Sequence, residues 1–178
     1  MGRQVALLRG INLGPHNRIA MPELREALGE AGYREVQTYV QSGNVVLESD
    51  ETPTALETAL ERLIAERFAL EIPVIARTRD ELADVVKRNP LKRVATDPKR
   101  YQVSFLAEPL DEDRISQLNQ VATDPERLVA SGRELYAWHP DGAARSKLWA
   151  KLAGTGLGVK ATARNWKTVE ALLEMARQ

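Results

Sequence analysis

Apolar residues come in short blocks along this chain, and the spacing inside the blocks switches between a helical and an extended period. Val5 to Leu8 is an unbroken apolar run between Arg3 and Arg9, the pattern of a strand covered on both faces. After a loop of Gly, Asn and Pro, Leu24, Ala27, Leu28 and Ala31 recur at i, i+3, i+4 and i+7. They predict a short amphipathic helix that opens at Pro22 and ends near Gly32. Tyr33 to Val40 and Val45 to Glu48 are β-rich and flank Gln41-Ser42-Gly43-Asn44. Glycine there tolerates the positive φ of a tight turn, so the two runs form a hairpin. Leu56, Leu60, Leu63 and Ile64 mark a second helix, and Ile72 to Ala76 a strand in which Pro73 is admissible only at an edge or a start. Residues 3–77 thus read β-α-β-β-α-β, the ferredoxin-like order.

The order then recurs. Leu82, Val85 and Val86 predict a connecting helix, and Asn89-Pro90 through Asp97-Pro98 a linker. Tyr101 to Ala107 is strand-like, and Ile115 and Leu118 fall on a helix starting near Asp111. Arg127 to Ala130 pairs with Glu134 to Trp138 across Ser131-Gly132, an echo of Ser42-Gly43. Leu148 and Leu152 lie one turn apart on a further helix, Val159 to Thr162 is a short last strand, and Val169, Leu172, Leu173 and Ala176 predict a terminal helix. The expected fold class is α+β. Two tandem ferredoxin-like (βαββαβ) units with antiparallel sheets occupy residues 1–78 and 100–178, joined by a connecting helix and linker at 79–99, and the second unit ends in the C-terminal helix.

Topology then gathers loops. In a split β-α-β unit the first two strands run in the same direction, so their C-terminal ends share one end of the sheet. The loop Gly10 to Ala20 should therefore neighbour the Gln41 to Asn44 turn. Together they present Arg9, Asn12, His16, Asn17, Arg18, Gln41, Ser42 and Asn44, with no carboxylate from Arg9 to Pro22. Gly10, Gly14 and Gly43 let backbone N–H groups approach a ligand. The third and fourth strands of the second unit end together in the same way. They lead into 142–147 and 163–168, read as two helix starts that present Arg145, Ser146, Lys147, Arg164, Asn165 and Trp166. Antiparallel packing of the two units would bring both loop sets to one cleft.

Charge sharpens that expectation. The chain balances 25 basic against 25 acidic residues, yet residues 142–169 hold no Asp or Glu while carrying Arg145, Lys147, Lys151, Lys160, Arg164 and Lys167. At 25 acidic residues in 178, a stretch of that length would hold about four. The ligand expected is a small anion bearing phosphate or carboxylate. Micromolar affinity corresponds to about 8 kcal/mol, and charge-assisted bonds of about 1.5–3 kcal/mol each are opposed by lost motion and desolvation, so an enclosing pocket is required.

Each residue also has a plainer use. Asn12, Asn17 and Asn44 suit Asx turns, Ser42 the hairpin, Asn165 a helix cap, and Trp166 a hydrophobic plug. His16 and His139 are the only histidines and lack a ligand-spaced partner, so no metal is expected, and His139-Pro140-Asp141 reads as a turn. Gly154-x-Gly156-x-Gly158 follows a helix and leads to a strand, the reverse of a dinucleotide loop, so it reads as a helix stop and no cofactor is expected. No Ser-His-Asp set, P-loop or paired carboxylates assign a reaction. Other classes compete. Tyr101, Phe105, Tyr136 and Trp138 would suit base stacking on the second sheet, although zero net charge and 5% aromatic residues argue against nucleic acid. A non-catalytic assembly module is the third reading. Absence of Cys and an N-terminal apolar run too short for a signal or a span fit a cytoplasmic protein.

Several stretches are long enough to compare: Val5-Ala-Leu-Leu-Arg-Gly-Ile-Asn-Leu-Gly14, Asn17-Arg18-Ile19, Tyr39-Val-Gln-Ser-Gly-Asn-Val-Val46, Arg145-Ser-Lys147 and Ala161-Thr-Ala-Arg-Asn-Trp-Lys-Thr-Val169. In these the chain resembles, over essentially its whole length, the bacterial family known as domain of unknown function 1697. Pro15 stands where that family usually shows another glycine, and Lys167 where it often shows Asn. The resemblance implies a pair of ferredoxin-like subdomains and no established activity.

Overall fold

A computed structural model describes residues 2–178. The first half runs β1 (Gly2–Leu8), α1 (Met21–Glu30), β2 (Arg34–Tyr39), β3 (Asn44–Ser49), α2 (Pro53–Phe68), β4 (Val74–Thr78) and α3 (Arg79–Arg88). The second runs β5 (Tyr101–Leu106), α4 (Glu112–Val121), β6 (Arg127–Ser131), β7 (Glu134–Trp138), α5 (Lys147–Ala153), β8 (Ala161–Asn165) and α6 (Trp166–Arg177). The described residues thus form an α+β protein with two four-stranded sheets and six helices, as the two periods in the sequence imply. Met1–Asp84 with Ala171–Gln178 make one compact unit and Val85–Glu170 the other.

In unit 1 the strand order is β2-β3-β1-β4, with every neighbour antiparallel. Leu7 of β1 and Tyr39 of β2 both face Asn44 of β3, so β1 and β2 end at the same end of the sheet, one on each side of β3. Alternation along the strands sends Ala6, Leu8, Val45, Leu47, Val74 and Ala76 into a core with Leu24 and Leu28 of α1 and Leu56, Leu60 and Ile64 of α2. Val5, Leu7, Val46 and Ile75 lie on the opposite face and are buried as well. Burial of both faces is why β1 reads as an unbroken run. β4 is an edge strand that begins just after Pro73, the placement that proline demands. Ala31 is the C-cap of α1 and is exposed, so the apolar period overran the helix by one position.

Unit 2 repeats the order as β6-β7-β5-β8, again antiparallel throughout. Its core joins Leu106, Leu135, Ala137 and Ala161 of the sheet to Leu118 of α4 and Leu148 and Leu152 of α5. One element lies two to three residues later than the sequence implies. β8 is Ala161–Asn165, not 159–162, because the ladder with β5 runs from Leu106–Ala161 to Gln102–Asn165. Val159 packs against the core from outside the strand, so its apolar character did not signal pairing. The repeat extends to single residues. Arg77 faces Val5 and Arg164 faces Val103 in the matching ladders, and in each case Nη1 donates to the carbonyl of the preceding residue, at 2.9 and 2.8 Å.

Candidate functional site

The two loops of unit 1 meet as expected. Asn12 lies at φ 57°, and its amide donates to the carbonyls of Gln41, at 2.6 Å, and Ile19, at 2.8 Å, while its Oδ1 accepts from the Ile19 N–H. One side chain therefore closes the Gly10 to Ala20 loop and ties it to the hairpin turn. The Leu8 N–H donates to the Gly43 carbonyl, and a Cβ on Gly43 would sit 2.7 Å from that of Leu8, so this turn admits no side chain there. Asn44 is fully buried, with its amide on Tyr39 O and Ser42 Oγ; Ser42 and Asn44 thus fasten the hairpin. What remains on the surface is His16, Asn17, Arg18 and Gln41, all exposed, while Arg9 is half-buried. Arg18 donates to the Gly14 carbonyl at 3.1 Å, which holds the cation over its own loop, and no carboxylate pairs with it among the described residues.

Val40 departs from ordinary geometry. It is β-branched, 55% exposed and held at φ 52°, a region such residues avoid at a penalty of about 1–3 kcal/mol. Leu13, 82% exposed, follows Asn12, as Val40 precedes Gln41. The Asn12–Gln41 bridge is thus flanked by two exposed apolar side chains and a loop of cations, a combination that composition did not reveal.

Unit 2 divides its expected set. β7 and β8 end together, since Trp138 and Asn165 face Tyr101 and Gln102 at the start of β5. Asn165 caps α6, accepting from the Thr168 N–H at 2.9 Å. Trp166 is buried and stacks on Tyr101 with centroids 4.9 Å apart, which makes it a core plug. Arg164 stands within β8 rather than at a helix start, 9% exposed, donating to Thr162 Oγ1 and to the Ala163 carbonyl. Burial lowers its guanidinium to about 10. Arg145 and Lys147 are exposed, and no carboxylate pairs with them among the described residues.

Sequence reasoning missed Glu126. It lies outside the acid-free stretch, yet its Oε2 accepts from Ser146 Oγ and meets His139 Nδ1 at 2.7 Å. Ser146 Oγ also caps α5 by accepting from the Trp149 N–H at 3.0 Å. Burial pushes the Glu126 carboxyl up, but hydrogen bonds from His139, Ser146 and the Thr123 N–H and the charge of His139 outweigh it, leaving it below the usual carboxylate value. The segment 139–142 is a turn, with Gly142 N donating to His139 O, as expected. The imidazole is nevertheless fully buried, and its Nε2 has no partner among the described residues. No signal in the sequence paired Glu126 with His139, because only the sheet register sets them side by side.

Tyr101, Phe105, Tyr136 and Trp138 are all buried. Tyr101 donates to Asn89 Oδ1 and Tyr136 to the Val85 carbonyl, and burial raises the Tyr136 hydroxyl to about 12. Among the described residues no His, Cys, Asp and Glu group is arranged to hold a metal, and no helix is long and apolar enough to cross a membrane.

The fold and these paired loops define a protein of two repeated α+β units, and comparison gives the class a family. The family described as protein of unknown function, DUF1697, matches residues 1–136, and the chain belongs to it. A solved structure of a conserved bacterial protein from Streptococcus pneumoniae is similar over 98% of both chains, with a TM-score of 0.79 and 24% identity, a likeness of fold. No curated protein matches the chain.

Proposed function

We propose that the paired loops of unit 1 bind a small molecule bearing phosphate or carboxylate, and that each unit is ferredoxin-like, as its strand order supports. One observation carries the binding proposal: Asn12 locks two carboxylate-free loops into a single surface that displays His16, Asn17 and Arg18. A surface fixed in advance loses little freedom when a ligand arrives. Gly10, Asn12, Asn17 and Gly43 take left-handed φ, a conformation that recurs in anion-holding loops. Leu13 and Val40 supply apolar contact, so an anion carried on an organic group fits better than a bare ion. Arg145 and Lys147 give unit 2 a second basic surface. The cytoplasm is the proposed compartment, supported by a chain without Cys. Base stacking on the second sheet is the less favoured reading, since its aromatic side chains are buried.

Thermal shift against inorganic phosphate, sulfate and a nucleotide panel tests the proposal. A rise in Tm with at least one anion is expected, and Arg18→Ala should abolish it without lowering the unliganded Tm. Arg164→Ala is a poor probe, because it empties a buried position. A flat response across the panel would sink the proposal.

A further inference from the structure

The acid-free stretch 142–169 continues past the basic loop into α5 and the glycine run, and there it walls a concavity. A cavity of about 710 Å³ lies between α4, α5 and the 154–158 turn of unit 2, within the range of small-ligand sites. Leu118 and Leu157 are buried and form its floor, with Val121 half-buried beside them. Lys151, Gln117 and Gln120 are exposed and form its rim, and half-buried Arg114 lies between floor and rim. No residue that lines it is acidic.

We infer that this cavity binds an aliphatic or aromatic monocarboxylate, its tail on the Leu118–Leu157 floor and its carboxylate at Lys151 and Arg114. The chemistry follows from the lining. An apolar floor disfavours a wholly polar ion, whereas a lining of two cations and two amides above it disfavours a neutral hydrocarbon. Arg114 already donates to the Gly156 carbonyl, which aims the guanidinium along the wall and leaves further N–H groups available. Lys151 has no carboxylate partner among the described residues. The cationic head is therefore one free ammonium and one partly engaged guanidinium, suited to a single negative charge. The glycine run matters sterically. Gly154 and Gly156 line the wall without side chains, and a Cβ on Gly158 would press within 3.3 Å of the Arg114 guanidinium. A run that looked like a mere helix stop thus keeps the mouth open and its arginine in place.

Octanoate titrated into the full chain, followed by amide NMR, tests this. Saturable shifts in α4, α5 and residues 154–158 are expected, whether or not the unit 1 loops respond as well. 1-Octanol should produce none of comparable affinity, and octyl phosphate should bind no more tightly than octanoate. Lys151→Glu should weaken octanoate about tenfold, and Ala150→Trp, which fills the cavity, should abolish binding. Arg18→Ala should leave octanoate binding unchanged, which separates this site from the loop site of unit 1. No octanoate shifts in α4, α5 and residues 154–158, equal shifts there with octanol, or undiminished shifts there in a folded Ala150→Trp chain would each overturn the inference. Should that variant fail to fold, the wild-type shift map decides alone.

Discussion

Gly43 shows how much a single position decides. Its φ is 79°, and an added Cβ would meet Leu8 Cβ at 2.7 Å and Ile11 Cδ1 at 2.9 Å. Gly43→Ala should therefore destabilise the chain by roughly 2–4 kcal/mol, the sum of left-handed strain and overpacking, read as a lower urea midpoint with unchanged slope. Glu126 makes a pH-dependent contribution. Its folded-state pKa is depressed, so its stabilisation is complete above the ordinary value of 4.5 and is lost as pH falls through the lower folded value. Glu126→Gln should weaken the fold by about 1–3 kcal/mol at pH 7, through imperfect partners for His139 and Ser146. The gap to wild type should close as pH drops below 4.5. A gap that stays constant down to pH 3 would remove the carboxylate from this account.

At the scale of elements, the helix starts are the most testable features. Thr52, Asp111, Ser146 and Asn165 each accept a backbone N–H three residues on, at 3.2, 2.7, 3.0 and 2.9 Å. Asn165→Ala should lower stability by about 0.5–2 kcal/mol, and Asn165→Asp should restore most of it, since either side chain caps and a carboxylate suits the helix dipole. Equal losses in both variants would show that Asn165 serves something other than the cap. Helices and hairpins were legible because capping residues, Pro22, and the Ser-Gly turns carry local physics. The start of β8 was not, because Val159 satisfies its hydrophobicity without joining the ladder.

For the whole molecule, residues 171–177 of α6, with Gln178, belong to unit 1. Leu172, Leu173 and Ala176 are buried there. Deleting residues 171–178 should speed amide exchange in β1 and β3 much more than in β5 and β7. Uniform acceleration across both sheets would instead make the chain a single cooperative body. Zero net charge also bears on binding. With no long-range field to steer ligands, anion affinity at the unit 1 loops should fall only modestly between low and physiological salt.

Sequence alone settled what depends on neighbours along the chain. The period of apolar residues fixed the eight strands and six helices to within a few residues, and two repeats of one order followed from their succession. It also placed the loops at 10–20 and 41–44 together, because strand direction is a consequence of order. Tertiary structure alone decided which polar groups remain for a ligand. Arg164 and Arg18 look alike in a list of cations, yet one is buried in a ladder and the other stands on the surface. Glu126 reaches His139 across 13 residues through the β6–β7 register and Ser146 across 20 at the start of α5, meetings that local sequence does not encode.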